Sequence, residues 1–114
     1  MFAVIFELEP HRQYQSEYLE IAADLKSHLE TIDGFISVER FESLTQPGKL
    51  LSLSYWRDEA SIEAWRNLHN HRNAQTLGRE RIFSHYRLRV ANIVREYSLH
   101  DREQAPQDSR ERHG

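Results

Sequence analysis

Residues 35–56, FISVERFESLTQPGKLLSLSYW, contain two strand-like segments separated by a proline-glycine pair. In the second segment, LLSLSYW, apolar residues alternate with serines. This period of two is typical of a strand because successive side chains point to opposite faces. Pro47 and Gly48 form a turn signal. The stretch therefore predicts a β-hairpin.

The chain before this hairpin predicts one strand and one helix. The first ten residues, MFAVIFELEP, alternate in the same way as LLSLSYW, and Pro10 is expected to end the strand. Between Gln13 and Thr31, apolar residues recur at steps of three and four, which places them on one stripe of a helix. Gly34 lies just past this segment and suits a C-terminal helix cap.

The chain after the hairpin predicts a helical region, a last strand and a tail. Asp58 is a candidate N-cap for a short helix through EASIEAWRN. Asn67 or Asn70 is expected to break it before a second helix, HRNAQTLGRERI. Residues 84–98, SHYRLRVANIVREYS, predict the fourth strand. Residues 99–114 have almost no apolar residue and no periodicity, and are predicted to be a disordered tail.

The resulting order, β-α-β-β-α-β, predicts an α+β domain of the ferredoxin-like type in residues 1–98. Both helices of such a domain cover one face of a four-stranded antiparallel sheet. The predicted strands carry apolar residues on both faces, and a sheet that is apolar on both faces needs two covers. We therefore expect a homodimer in which two sheets pack on each other.

Composition excludes several classes of partner and site. The net charge is −3, with arginines interleaved among acidic residues, which argues against nucleic-acid binding. No cysteine is present, so the chain contains no disulfide and no thiolate metal site. No apolar run approaches the roughly 20 residues that span a bilayer, and the N-terminus is unlike a signal peptide. A cytoplasmic protein without a membrane partner is expected.

Together with the predicted order β-α-β-β-α-β, three segments of the sequence resemble the antibiotic biosynthesis monooxygenase superfamily of small dimeric α/β-barrel proteins. The resemblance covers residues 1 to about 98. It rests on that order and on three segments: LSLSYWRDEASIEAW with its two tryptophans, the helix HNHRNAQTLGRERIF, and the final strand YRLRVANIVREYS.

The resemblance implies a small monooxygenase that oxidises a quinol-like or phenol-like aromatic molecule with O2, without metal or flavin. An active protein would thus be an oxidoreductase. Because the superfamily also contains haem-degrading members, haem binding and degradation is a second hypothesis. A third is a non-catalytic dimeric module that binds a hydrophobic small molecule or another protein.

The resemblance also implies site residues. Trp65 matches a tryptophan that takes part in the pocket of active members, which lies between sheet and helices. Glu7 falls where those members have an asparagine. Gln75 falls where the haem-degrading branch has an iron-ligating histidine, so His71 or His69 would be a shifted ligand. We take Glu7, Trp65 and His71 as the candidate catalytic residues.

Each candidate also has a simpler structural interpretation. If the Glu7 face of the first strand meets the helices, its carboxylate can remove a phenolic proton; otherwise it forms an ion pair, with Arg72 or Arg79 as candidates. Trp65 either bounds a flat substrate or packs in the core.

A polar row on the second helix is the remaining feature. His71, Gln75 and Arg79 are spaced four apart and share one helical face, as either a substrate-binding lip or a solvated stripe. Tyr55 and His69 complete the predicted substrate-binding set. His69 and His71 point about 200° apart on a helix and cannot chelate one metal ion, so no metal site is predicted.

Overall fold

The computed structural model of the protein describes the backbone of residues 1–75 and 82–113 and the side chains of residues 1–68 and 82–112. The strands are β1 (Phe2–Pro10), β2 (Phe35–Glu42), β3 (Leu50–Trp56) and β4 (Phe83–Asn92). The helices are α1 (Gln15–Leu29), preceded by a 3-10 turn (Arg12–Tyr14), α2 (Glu59–Gln75) and α3 (Gln107–His113).

The four strands form one antiparallel sheet in the order β2-β3-β1-β4. This arrangement confirms the predicted ferredoxin-like α+β fold. The hairpin is also confirmed: β2 and β3 pair from Phe35 with Trp56 to Glu42 with Leu50, and Gly48 takes a positive φ in the turn between them. The two central strands, β3 and β1, carry the most buried side chains.

Two apolar clusters join the sheet to its helices on one face. In the first, Leu8 of β1 and Leu50 of β3 pack against Tyr18 and Ala22 of α1. The second lies at the opposite end of the strands and combines Leu29, Trp56 and Ile62. The side of β1 that carries Phe2, Val4, Phe6 and Leu8 therefore faces the helices, and its alternate residues face away from them.

Trp56 and Leu8 are the largest fully buried side chains among the described residues. Burying an apolar side chain of this size stabilises a fold by about 1.5–3 kcal/mol. The Trp56 indole N–H donates a hydrogen bond to the Ser54 hydroxyl at 2.9 Å, so its polar atom is satisfied inside the core. An edge-on contact with Phe35 fixes the ring further.

The second helix differs from its prediction because it is one continuous helix from Glu59 to Gln75. The predicted break at Asn67 or Asn70 is wrong, because asparagine is less favourable than alanine inside a helix by only up to about 0.7 kcal/mol, which by itself is too little to end one. The predicted N-cap is confirmed, because the Asp58 carboxylate accepts a hydrogen bond from the Ser61 backbone N–H at 2.9 Å.

The fourth strand is shorter than predicted and ends at Asn92. Asn92 pairs with Phe2, the first residue of β1, so the partner strand ends there. Residues 93–98 form neither helix nor strand.

Residues 99–114, predicted to be a disordered tail, include the short helix α3 in the structure. Arg102 organises this segment: its guanidinium donates to the Ser109 hydroxyl at 2.8 Å and lies over the Tyr97 ring. The hydrogen bonds of Glu96 with Gln104 and of Arg110 with Pro106 are likewise local. These contacts link residues of the 96–110 segment to one another.

An ion-pair network ties the loop after α1 to the start of α2. The Arg57 guanidinium donates to both carboxylate oxygens of Asp33, at 3.1 and 3.2 Å, and to Asp58 at 3.0 Å. The hydrogen bond from Arg57 holds the pKa of Asp33 below its usual value. The backbone N–H of Ser61 is the main cause of the lowered pKa of Asp58. These groups are exposed, so the network contributes more to loop geometry than to stability.

Substituting Gly34 by alanine is expected to destabilise the fold strongly. Gly34 has a φ of 96°, and a Cβ there would lie 2.7 Å from the Ser61 Cβ. Backbone strain and the clash together predict a loss of about 2–4 kcal/mol in the free energy of unfolding. Urea denaturation measures this change.

Gly48→Ala is the matched control, because Gly48 also has a positive φ (81°) but a Cβ added there would meet no atom within 4 Å. It should lose only about 1 kcal/mol. Equal losses for the two variants would show that the contact with Ser61 contributes nothing.

Candidate functional site

The strand β4 turns three apolar residues toward the helix side of the sheet. Pairing with β1 establishes this, because directly opposed residues share a face. The pairs are Leu8 with Tyr86, Phe6 with Leu88, and Val4 with Val90. Since Leu8 lies in the core under α1 and Val4 packs on the cluster beneath α2, their β4 partners face the same side.

These three β4 residues are nevertheless exposed. The exposed fraction is 61% for Tyr86, 54% for Leu88 and 46% for Val90. With the half-buried Val4 and Phe6 beside them, they form a continuous surface that we call the apolar wall: Val4, Phe6, Tyr86, Leu88 and Val90. A contiguous apolar surface of this kind marks a binding site more often than an accident of packing.

Aromatic contacts fix one end of the apolar wall. The ring of Tyr86 lies 5.9 Å from that of Phe6 and 6.0 Å from that of Phe83, measured between centroids. Phe83 in turn contacts Phe6 and the buried Tyr18 edge-on. Such edge-to-face pairs are favourable beyond the area they bury, so this end of the wall is a rigid aromatic surface continuous with the core.

Trp65 lies on the helix side of the sheet. It is half-buried on α2 and packs against the cluster of Leu29, Trp56 and Ile62. Val4 packs against the same cluster. Trp65 and the apolar wall therefore share the helix side of the sheet.

Glu7 lies on the opposite face of the sheet, away from Trp65. Its carboxylate forms ion pairs with Lys49 and Arg89, each at 3.5 Å. An ion pair was one of the two predicted interpretations, but the partners come from the neighbouring strand regions rather than from Arg72 or Arg79. The alternation of β1 is the physical reason: Phe6 and Leu8 face the helices, so Glu7 between them cannot.

Tyr55 shares the face of Glu7, because it pairs with Ala3 across β1 and β3. The structure thus separates it too from Trp65. The backbone of α2 is continuous through His69, His71 and Gln75, but their side chains lie outside the described part of the chain, and Arg79 lies outside it entirely.

Sequence reasoning did not single out Tyr86, Leu88 and Val90 as site residues. The alternation in YRLRV was visible and correctly indicated one apolar face. Nothing in the sequence indicated that the helices leave this face open, because coverage depends on where α1 and α2 lie over the sheet.

Within the described side chains, no group of three histidine, cysteine, aspartate or glutamate residues is arranged to hold a metal ion. The one described histidine of β4, His85, pairs with Glu9 and so faces away from the wall. In the same part of the chain, no helix combines the length and apolar character needed to cross a bilayer.

Comparison with known proteins gives a family and a fold. Residues 1–77 match the family described as antibiotic biosynthesis monooxygenase. Jasmonate monooxygenase ABM of Pyricularia oryzae is 47% identical over 94 residues, which cover 82% of this chain and 44% of that protein. The chain therefore spans less than half the length of this curated relative.

Solved structures share the fold at low sequence identity. Rv0793 from Mycobacterium tuberculosis superposes with a TM-score of 0.72 at 19% identity, covering 85% of this chain and 98% of that one. The heme-degrader MhuD of the same organism, solved with two hemes in its active site, gives a TM-score of 0.67 at 13% identity, covering 86% and 100%. The family match over residues 1–77, the similarity to a monooxygenase along most of the chain and the shared fold lead to one conclusion: the chain belongs to the antibiotic biosynthesis monooxygenase family.

Proposed function

We propose that this protein is a monooxygenase that oxidises a small, largely apolar molecule with O2 on the apolar wall. The observation that carries the proposal is the exposure of Tyr86, Leu88 and Val90 on the side of the sheet where core residues are expected. Membership of the family supplies the reaction class. An electron-rich phenol or quinol is the first substrate class, and jasmonate, after the name of the 47% identical relative, is the second.

For a phenol or quinol, the chemistry we propose needs no reductant other than the substrate. Jasmonate has no phenolic proton, so its hydroxylation would consume an external two-electron reductant. Loss of a phenolic proton leaves an anion that passes one electron to O2. The resulting substrate radical and superoxide join through a new C–O bond, and the peroxide then loses water to leave a quinone. Two hydrogens leave the substrate, one oxygen atom enters it, and the second oxygen atom leaves as water.

The described residues support two parts of this reaction. The wall offers an apolar surface that displaces water from a flat ring, which strengthens any polar contact made there. Trp65 packs against the same buried cluster as Val4, on the same side of the sheet. Glu7 faces the other side of the sheet, so we assign the role of base to His71 of α2 rather than to Glu7.

The opposite face of the sheet supports the proposal of a homodimer. Ile5 lies opposite Leu53, and Phe41 lies opposite Leu51, on the side away from the helices. Phe41 is 42% exposed. Packing two such faces together buries apolar area, which contributes about 25 cal/mol per Å2.

Oxygen uptake tests the proposed activity. Purified protein is mixed with a panel of quinols, anthrone and jasmonate, and O2 consumption is followed with an electrode. We expect uptake with at least one compound, and a loss of about tenfold or more in Trp65→Phe, because the smaller ring contacts less of a flat substrate.

Leu44→Ala is the control for this variant, since Leu44 is fully exposed in the β2–β3 loop. Unfolding in urea shows whether Trp65→Phe remains folded. Absence of uptake across the whole panel, with retained ligand binding, would support the non-catalytic module instead.

Haem binding is the alternative that the heme-bearing relatives suggest. The described wall carries no histidine, so its residues offer no imidazole to haem iron, and the candidate ligands are His69 and His71 of α2. Hemin titration tests this alternative. A shift of the Soret band that disappears in His71→Ala would favour haem binding. A spectrum equal to that of free hemin would remove this alternative.

A further inference from the structure

We propose that Tyr86 is a positioning residue whose hydroxyl group hydrogen-bonds an oxygen of the substrate. The inference deepens the proposed function and rests on it. It concerns how a bound molecule is oriented on the apolar wall: an oxygen at one end of an apolar body meets the Tyr86 hydroxyl group.

The polarity of the apolar wall is the first argument. Of its five described residues, Tyr86 alone carries a polar group. Among the described residues, none hydrogen-bonds to the Tyr86 hydroxyl, and more than half of the Tyr86 surface is exposed. A ligand oxygen placed against the wall therefore has one partner there, and an oxygen placed elsewhere on the wall would lose its hydrogen bonds to water.

The position of Tyr86 is the second argument. It lies at one end of the wall, four residues from Val90, with Leu88 between them. A strand rises about 3.4 Å per residue, so the wall runs about 14 Å from Tyr86 to Val90. Asn92 follows Val90 on the same side, paired with Phe2, and marks the polar limit at the far end. A body of two or three fused rings fits between these limits.

The rigidity of the ring is the third argument. Phe6 and Phe83 contact the Tyr86 ring at 5.9 and 6.0 Å between centroids, and Phe83 is anchored on the buried Tyr18. A hydroxyl group on a ring held in this way loses little conformational freedom when it binds a ligand. Tyr86 thus combines an available donor with a fixed position, which is what orientation of a substrate requires.

A matched pair of ligands tests the inference without turnover. Equilibrium dialysis measures the binding of 1-naphthol and of naphthalene, which have the same two rings and differ by one hydroxyl group. We expect the wild-type protein to bind 1-naphthol about tenfold more tightly than naphthalene. In Tyr86→Phe this preference should disappear, while the affinity for naphthalene stays unchanged.

Tyr97→Phe is the control, because Tyr97 is an exposed tyrosine that contacts Arg102 outside the wall. It should keep the wild-type preference. If Tyr86→Phe also keeps the preference for 1-naphthol, or lowers the affinity for both ligands equally, the positioning role is wrong. The monooxygenase proposal then stands, because the wall still binds both compounds. If the wild-type protein binds neither compound, both proposals are overturned.

Discussion

Leu88→Asp is expected to lower the affinity for 1-naphthol at least 100-fold and to abolish oxygen uptake. Leu88 lies at the centre of the apolar wall, opposite Phe6 and between Tyr86 and Val90. A ligand bound there would desolvate the new carboxylate, and burying an unpaired charge costs several kcal/mol. Because Leu88 is 54% exposed in the ligand-free chain, the substitution should leave the fold intact.

Equilibrium dialysis and the oxygen electrode measure this effect, and urea denaturation checks the fold. Leu44→Asp is the matched control: it introduces the same charge at a fully exposed leucine in the hairpin loop. It should bind 1-naphthol and consume oxygen like the wild-type protein. Wild-type affinity in Leu88→Asp would show that ligands do not occupy the wall, and the proposed site would have to be abandoned.

Leu53→Asp is expected to convert the proposed dimer into monomers. Leu53 is half-buried at the middle of the face away from the helices, opposite Ile5 on one side and Glu39 on the other. In a dimer packed through this face, the new carboxylate would be buried without a partner against the sheet of the second copy. The cost of removing water from this charge should raise the dissociation constant about 100-fold or more.

Sedimentation equilibrium at several protein concentrations measures this change. The wild-type chain should sediment as a dimer at micromolar concentration, and Leu44→Asp should do the same. A wild-type monomer would contradict the dimer directly. A Leu53→Asp protein that remains dimeric would place the interface elsewhere on the surface.

The two variants also test the division of the sheet into two functional faces. The apolar wall and Leu53 lie on opposite sides, because β1 pairs Phe6 with Leu88 and, one residue earlier, Ile5 with Leu53. Leu88→Asp should therefore leave the dimer intact. Leu53→Asp should leave the binding of 1-naphthol close to the wild-type value, since all five wall residues lie on the face away from Leu53.

Glu7 shows how this division changes a prediction made from sequence. The family resemblance placed it at a pocket position, whereas β-strand alternation places it with Lys49 and Arg89 on the other face. Its carboxylate thus lies on the face of the proposed interface, opposite Leu51, where charges contribute more to specificity than to affinity. Trp65, by contrast, lies on α2 and therefore on the helix side of the sheet.

The sequence by itself determined the order of the elements, the hairpin at Pro47 and Gly48, the cap at Asp58 and the two-sided apolar character of the strands. These features follow from local chemistry: alternation, turn residues and capping groups act over a few residues. Only the tertiary structure decided which apolar face α1 and α2 cover, that α2 continues past Asn67, and that Tyr86, Leu88 and Val90 stay open. Those outcomes depend on contacts between residues distant along the chain, and a pattern of polarity does not specify which of two apolar faces will receive a helix.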